Sequence, residues 1–260
     1  MTQQIISDWN GASGGSRDNY PELLAKCKNN FEELYDGSWK MGRNVSFSTD
    51  FLGPVIPPEL TLTAGSDSPV GGAITVAAGG KYRLTTGDSG ASVAADGVQI
   101  TTSLNWKASL GGLYGAALLS ISAIAAVRCF VGFTDTVALE APATLTTTTI
   151  TTVADDCVGF LFDTGATTDT IRLVGSAATV DATAQDTANA WAAATATLFE
   201  VFVTSAGVAT FFIDGTQVGT AMTAALTAAT AVAFTVYVQS LTTNSKTLDI
   251  DALAVGMNRY

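Results

Sequence analysis

The chain has 260 residues, of which 47% are apolar and 13% charged, with a formal net charge of −11 and no histidine. The apolar share excludes a disordered chain, and the acidic balance disfavours nucleic acid or an anionic membrane as a partner. Without histidine, the usual catalytic triads and most zinc or copper sites are excluded. We therefore expect no cofactor and no bound metal.

The polar N-terminus lacks the charged and apolar regions of a secretion signal, so we expect synthesis and folding in a reducing cytoplasm. The three cysteines, Cys27, Cys129 and Cys157, form no closely spaced pair. The last two could meet across sheets, but the odd count favours buried free thiols.

One helix is predicted from about Pro21 to Asp36, with Asp18 or Asn19 as its cap and Gly37 at its end. Its apolar stripe consists of Leu24, Cys27, Phe31 and Leu34, with Tyr35 beside it. The stripe either packs on its own domain or contacts another subunit. Two heptads are too short for a stable coiled coil alone, so the second possibility needs a partner surface.

The helix belongs to an N-terminal arm, residues 1–40, that we interpret as an assembly anchor. Residues 41–75 follow as an extended connector stiffened by Pro54, Pro57 and Pro58. Residues 76–260 form the predicted β domain. The chain from Gly175 to Thr197, rich in Ala and Thr, is either a long loop or a set of weak strands.

The sequence of the β domain predicts many short strands separated by turn residues, with no helices between them. Leu110 to Val127 carries no charge and approaches transmembrane length. Three glycines fall in its first six residues and the pattern alternates in part, so a buried strand is the better interpretation. The predicted fold is an antiparallel jelly-roll sandwich. The main strand candidates lie at residues 82–84, 98–100, 157–162, 171–174, 199–203, 209–213, 234–238 and 248–254.

The most regular pattern runs from Leu198 to Thr220. Alternating apolar residues from Phe199 to Val203, a turn at 205–207, a return to Ile213 and a second turn at Asp214-Gly215 predict a β-meander. This meander resembles the one in concanavalin-like and laminin-G-like sandwiches. The runs Arg128 to Asp135, Cys157 to Asp163 and Leu248 to Val255 resemble other strands of that fold. The resemblance implies the fold, which hosts lectins, glucanases and structural modules alike.

The segment from Ser16 to Tyr35 resembles one near the start of many phage tail-fibre and virion appendage proteins, which joins the appendage to the particle. The residues that match are Arg17, Lys26, Asn30, Phe31, Glu33, Leu34 and Tyr35. Lys28 stands where asparagine is common, and Pro21 is unusual there. The resemblance implies a location in the virion, after synthesis in the cytoplasm of a bacterial host.

Concanavalin-like glucanases place two catalytic glutamates close together on one strand face. The predicted β domain has only Glu140 and Glu200, far apart in sequence, so we expect no enzyme. Asp249 and Asp251 share a strand face and are expected to be solvated. Asp135, Asp163, Asp169 and Asp214 have no spacing typical of a Ca²⁺ site.

A glycan-binding face needs exposed aromatic side chains beside polar groups. Trp106, Tyr114, Trp191 and Tyr237 are available, and Trp191 is the candidate that we expect to be exposed.

The leading hypothesis is a structural protein of a phage surface, either a capsid decoration, a head fibre or a tail appendage. Its expected partners are further copies of itself, most simply as a homotrimer, and capsid, portal-adaptor or tail proteins. The alternative is a lectin-like module that recognises a host surface glycan.

Overall fold

The computed structural model describes residues 44–75, 80–147 and 149–258, the side chains of Asn44 and Asn258 excepted. The predicted anchor helix with Leu24, Cys27, Phe31, Leu34 and Tyr35 lies outside the described residues and stays a prediction.

The described chain is almost entirely β. In chain order the elements are β1 Asn44–Thr49, β2 Leu60–Ala64, β3 Gly71–Thr75, β4 Lys81–Thr85, α1 Val93–Asp96, β5 Gly97–Thr102, a 3₁₀ turn Ala108–Leu110, β6 Leu113–Ile121, β7 Val127–Thr134, β8 Ala143–Thr146, β9 Thr149–Thr152, β10 Cys157–Asp163, β11 Arg172–Ala177, β12 Val180–Asp181, β13 Gln185–Asp186, β14 Thr197–Val203, β15 Ala209–Ile213, β16 Thr216–Met222, β17 Ala233–Ser240 and β18 Thr247–Asn258.

Two large sheets form a sandwich, which confirms the predicted fold class. The first sheet has the order β16-β15-β14-β6-β18-β4-β3, and β1 also pairs with β18. The second sheet has the order β12-β11-β10-β7-β17-β5-β2, and β13 also pairs with β11. Neighbouring strands along both paths are antiparallel.

Aromatic rings fill the space between the sheets. Phe160 of the second sheet meets Phe199 and Phe211 of the first edge-on, with ring centroids 5.1 and 5.4 Å apart. Phe133 and Phe234 pack edge to face at 5.2 Å above Gly115 of the first sheet. A Cβ atom at residue 115 would stand 2.3 Å from the Phe234 ring, so only glycine lets the ring approach β6 this closely.

The predicted meander is present as β14, β15 and β16, and its second turn has positive φ at Asp214 and Gly215. The uncharged run from Leu110 contains the buried strand β6, as predicted. Among the described residues, no helix has the length and apolar character that a membrane span requires.

The predicted connector differs from what the structure shows. Residues 44–75 supply three strands, of which β2 pairs with β5 and β3 pairs with β4. Pro54, Pro57 and Pro58 lie in the loop between β1 and β2, where no ladder hydrogen bond is needed. Strands of five residues at a sheet edge take their stability from the neighbouring strand, so the short apolar alternation in their own sequence is weak evidence for them.

A further layer covers the outer face of the second sheet. We call residues 135–147 and 149–154 the cover; it includes the hairpin β8-β9. Its buried side chains, Ala141, Ala143, Leu145 and Ala154, pack against outward-facing residues of the sheet, namely Phe130, Cys157, Leu161, Val174 and Tyr237. Both faces of the second sheet are therefore buried.

Cys129 and Cys157 are free and buried, as predicted. Burial raises the pKa of both thiols well above the ordinary range, so they remain protonated and packed as small apolar side chains.

An ion pair between Arg128 and Asp163 ties the cover to the sheet. Arg128 Nε donates to Asp163 Oδ2 at 2.6 Å, and the same oxygen accepts from the backbone N–H of Leu145 in β8 at 2.9 Å. The other oxygen, Oδ1, accepts from the backbone N–H of Gly165. Arg128 also donates to the side chain of Gln239. The Asp163 side chain is fully buried, so each of these bonds lies in a medium that screens charge weakly.

We expect Asp163→Ala to lower the free energy of unfolding by about 3–5 kcal/mol, because Arg128 would lose its buried partner and two backbone N–H groups would lose their acceptor. Urea denaturation measures the change. The control, Asp169→Ala, removes an exposed carboxylate and should change stability by less than about 0.5 kcal/mol. Equal losses in the two variants would contradict the role assigned to Asp163.

Candidate functional site

The outer face of the first sheet presents side chains to solvent. In β14 the buried Phe199, Val201 and Val203 alternate with Leu198, Glu200 and Phe202, which therefore point outward.

The strand registers fix the neighbours on this face. One row contains Phe212, Glu200, Ala116 and Ala254. The row on one side contains Phe202, Tyr114 and Gly256, and the row on the other contains Leu198, Leu118 and Ala252. The face therefore has an aromatic end on β14, β15 and β6, and a small-residue region on β6 and β18.

We call Tyr114, Glu200, Phe202 and Phe212 the aromatic patch. The Tyr114 and Phe202 ring centroids are 4.8 Å apart, and those of Phe202 and Phe212 are 5.5 Å apart. Phe202 remains 40% exposed although it touches both rings. The Tyr114 hydroxyl donates to Glu200 Oε1 at 3.2 Å. Burial, and then the negative charge of Glu200, raise the pKa of Tyr114, so this hydroxyl remains a donor at neutral pH.

An open groove of about 430 Å³ adjoins the patch and shares Tyr114 with it. Ala116, Ala252 and Ala254 line it on the sheet, and their small side chains leave the space free. Leu118 and Leu198 supply apolar walls. Ser48, Thr49 and Asp50, at the end of β1, add polar groups. Patch and groove together offer what a sugar requires, which is flat apolar surface for its C–H faces and polar atoms for its hydroxyls.

Trp191 does not belong to this site, which corrects the prediction that it is an exposed glycan contact. Its side chain is 2% exposed and packs edge-on against Phe162 and Phe199, at 5.7 and 5.2 Å. The sequence left the Ala/Thr-rich chain around it open as a long loop or weak strands. The structure shows the short strands β12 and β13 there, followed by a loop in which the Ala194 N–H donates to the carbonyl of Ile121. Of the other aromatic candidates, Trp106 and Tyr237 are buried, and Tyr114 lies in the patch.

The two glutamates are not brought together. Glu200 lies on the outer face of the first sheet, whereas Glu140 lies in the cover over the second, where its backbone N–H donates to Gln99 Oε1. Two carboxyl groups on opposite sides of a sandwich cannot act as the acid and nucleophile of one glycosidase site.

Asp249 and Asp251 pair with cations on the outer face of the first sheet. Arg83 binds both carboxylate oxygens of Asp249, at 2.6 and 2.8 Å, and Lys81 lies 4.0 Å from Asp251. Such exposed pairs add little stability, but they neutralise the only two basic side chains described on β4.

Acidic residues cluster where the cover meets the start of β10. The Asp156 N–H donates to Asp135 Oδ2 at 3.2 Å, and the Asp156 carboxylate accepts from the Thr227 N–H and the Thr230 hydroxyl. Burial raises the pKa of Asp135, as does the charge of Asp156. Burial, and then the charges of Asp135 and Asp155, raise the pKa of Glu140.

In the described part of the chain, no group of three or more His, Cys, Asp or Glu side chains is arranged to hold a metal. Of the other aspartates considered for Ca²⁺, Asp163 is bound by Arg128 and Asp214 accepts from the Leu198 N–H.

No family model and no curated protein matches the chain. Among solved structures it is similar to the carbohydrate recognition domain of Emp47p (10% identity, TM-score 0.54, covering 84% of this chain and 98% of that one). It is also similar to peanut lectin (12% identity, TM-score 0.52, covering 84% of this chain and 99% of that one). A third similar structure is a prokaryotic β-1,3-1,4-glucanase derived from a mouse hindgut metagenome (11% identity, TM-score 0.52, covering 81% of this chain and 98% of that one).

At such low identity these likenesses show the fold, a concanavalin-like β-sandwich, and confirm that part of the sequence interpretation. The fold is shared by lectins and by a glucanase, so it does not decide between binding and catalysis. The predicted virion role stays a prediction.

The raised pKa of Glu140 predicts how stability changes with pH. At pH values between the ordinary carboxyl pKa and the raised one, Glu140 is protonated in the folded protein but ionised in the unfolded chain. The contribution of Glu140 to the free energy of unfolding therefore increases as the pH falls from neutrality. Denaturation at several pH values should show a smaller increase in Glu140→Gln than in the parent. Glu59→Gln, at an exposed position, should keep the parent's slope. Identical slopes in parent and Glu140→Gln would contradict this assignment.

Proposed function

We propose that this protein is a carbohydrate-binding module that holds a glycan on the outer face of its first sheet without cleaving it. The observation that carries the proposal is the aromatic patch beside the groove, in which Phe202 stays 40% exposed while Tyr114 and Glu200 present a hydroxyl and a carboxylate next to it.

The patch is organised before any ligand arrives. Phe202 is held between Tyr114 and Phe212, and the Tyr114 hydroxyl is fixed by Glu200. All four side chains stand on paired strands, so little side-chain entropy is lost when a flat ligand stacks on them. A pyranose ring presents C–H groups on its face and hydroxyls at its rim, and this combination suits an exposed ring bordered by polar atoms.

The distribution of carboxylates supports binding without cleavage. Glycoside hydrolysis requires two carboxyl groups on either side of the scissile bond. Glu200 is the single carboxylate of the aromatic patch, Asp50 lines the adjoining groove, and Glu140 lies beyond the second sheet. The likeness of the fold to a carbohydrate recognition domain and to a lectin supports the proposal at the level of the scaffold.

A second proposal concerns where the module works. The match of Arg17, Lys26, Asn30 and the run around Phe31 to the start of phage appendage proteins favours a virion surface protein. We infer that the arm attaches to capsid, portal-adaptor or tail proteins and assembles the chain as a homotrimer. The sandwich would then display its glycan site toward the host surface, after synthesis in the bacterial cytoplasm.

The glycan proposal predicts that the protein is retarded in native gels containing a neutral polysaccharide, tested over a panel of β-glucan, mannan, xylan and chitin derivatives. Phe202→Ala should weaken binding about tenfold, because the stacking ring is lost. Val180→Ala removes an apolar side chain that is 68% exposed at a distant edge, and should bind as the parent does. Absence of retardation on every polysaccharide would contradict the proposal, and release of reducing sugar would contradict binding without cleavage.

The assembly proposal predicts that the full chain sediments as a trimer. Phe31→Asp places a charge in the Leu24–Cys27–Phe31–Leu34 stripe and should give monomers whose sandwich still unfolds cooperatively. Sedimentation and thermal unfolding measured on the same sample separate the alternatives. A mutant that keeps the parent's sedimentation but loses cooperative unfolding would show that the stripe belongs to the domain core.

A further inference from the structure

The charges around the aromatic patch are unbalanced. Glu200 lies within the patch and Asp50 lines the adjoining groove, and neither forms a salt bridge with any cation among the described residues. The basic side chains of the same face, Lys81 and Arg83, are already paired with Asp251 and Asp249. Among the described residues, the unpaired charges of this face are therefore negative where the aromatic rings are exposed.

Glu200 is placed to receive a cation. One carboxylate oxygen, Oε1, accepts from the Tyr114 hydroxyl, and the other accepts no hydrogen bond from the described part of the chain. On the sheet Glu200 is directly opposite Phe212 on one strand and Ala116 on the other, so a small side chain leaves access from the groove. An ammonium group at this point would meet one carboxylate beside the exposed aromatic rings.

We propose, building on the glycan-binding function above, that the site selects sugars carrying a free amino group, as in polymers of de-N-acetylated hexosamine. The amino group donates to Glu200 while the ring carrying it stacks on Phe202 and the chain continues into the groove. Ammonium-to-carboxylate hydrogen bonds are about twice as strong as neutral ones, so the pair adds selectivity that the stacking rings alone lack. Anionic sugars are disfavoured by the same carboxylates and by the net charge of −11.

The test compares four hexasaccharides by isothermal titration calorimetry on the full chain: glucosamine, N-acetylglucosamine, β-1,4-glucose and mannuronate oligomers. The glucosamine oligomer should bind about tenfold more tightly than the glucose oligomer, and the mannuronate oligomer least tightly. Raising the salt concentration should reduce the glucosamine advantage and leave glucose binding little affected.

Two charge-removing variants distinguish the effect of Glu200 on the sugar preference from the effect of the protein's net charge. Glu200→Gln should reduce the ratio of the glucosamine and glucose association constants to near one, whereas the exposed control Glu59→Gln should keep it. Phe202→Ala should weaken both sugars together. If Glu200→Gln retains the preference, the net charge rather than this site causes it and the inference is overturned.

Two further outcomes distinguish the amino-sugar selectivity from the glycan-binding function on which it rests. Glucose and N-acetylglucosamine oligomers that bind as tightly as the glucosamine oligomer, with Phe202→Ala weakening all of them, would overturn the amino-sugar selectivity and leave the glycan-binding function in place. A protein that binds none of the four oligosaccharides would overturn the amino-sugar selectivity, and absence of retardation on every polysaccharide of the gel panel as well would overturn the glycan-binding function.

Discussion

The buried carboxylate of Asp163 determines which face of the sandwich can meet a ligand. It holds Arg128 of β7 and the backbone of β8 at once, and so keeps the cover against the second sheet. Beneath the cover, Phe130, Leu161 and Tyr237 are packed as in a core. A sheet that is buried on both faces has no surface left for recognition, so in the described part of the chain the first sheet provides the open face.

The open face combines exposed aromatic rings with a carboxylate. Three aromatic rings adjoin on it, and yet a carboxylate lies in their midst. A protein interface made for permanent burial would avoid an unpaired charge at such a place, because desolvating it costs several kcal/mol. A glycan could satisfy both features, because its C–H groups would cover the rings while its hydroxyl groups would donate hydrogen bonds to the carboxylate.

The likeness to both lectins and a glucanase shows how little the scaffold alone specifies. Glycoside hydrolysis requires a suitably spaced pair of carboxyl groups, and in this structure Glu140 and Glu200 lie outside opposite sheets. The raised pKa values of Asp135 and Glu140 at the cover lead us to expect an effect on the pH dependence of stability. Function in this fold therefore depends on which face is left open and which side chains stand on it.

The fold class could be predicted from local features of the sequence. Alternation in β14, the turn at Asp214-Gly215 and the absence of helical periodicity specify an antiparallel sandwich, because backbone geometry and side-chain period are local properties. The odd number of cysteines also indicated that Cys129 and Cys157 are buried free thiols.

The position of the candidate site, in contrast, depends on long-range strand pairing. Tyr114, Glu200 and Phe202 come from β6 and β14, about 85 residues apart in the chain, and their contact depends on a register set by the whole sheet. The same limit explains why Trp191 looked exposed and why β2 and β3 looked like a connector. Burial and edge pairing depend on neighbours that are distant in sequence, and a single chain's local pattern carries no record of them.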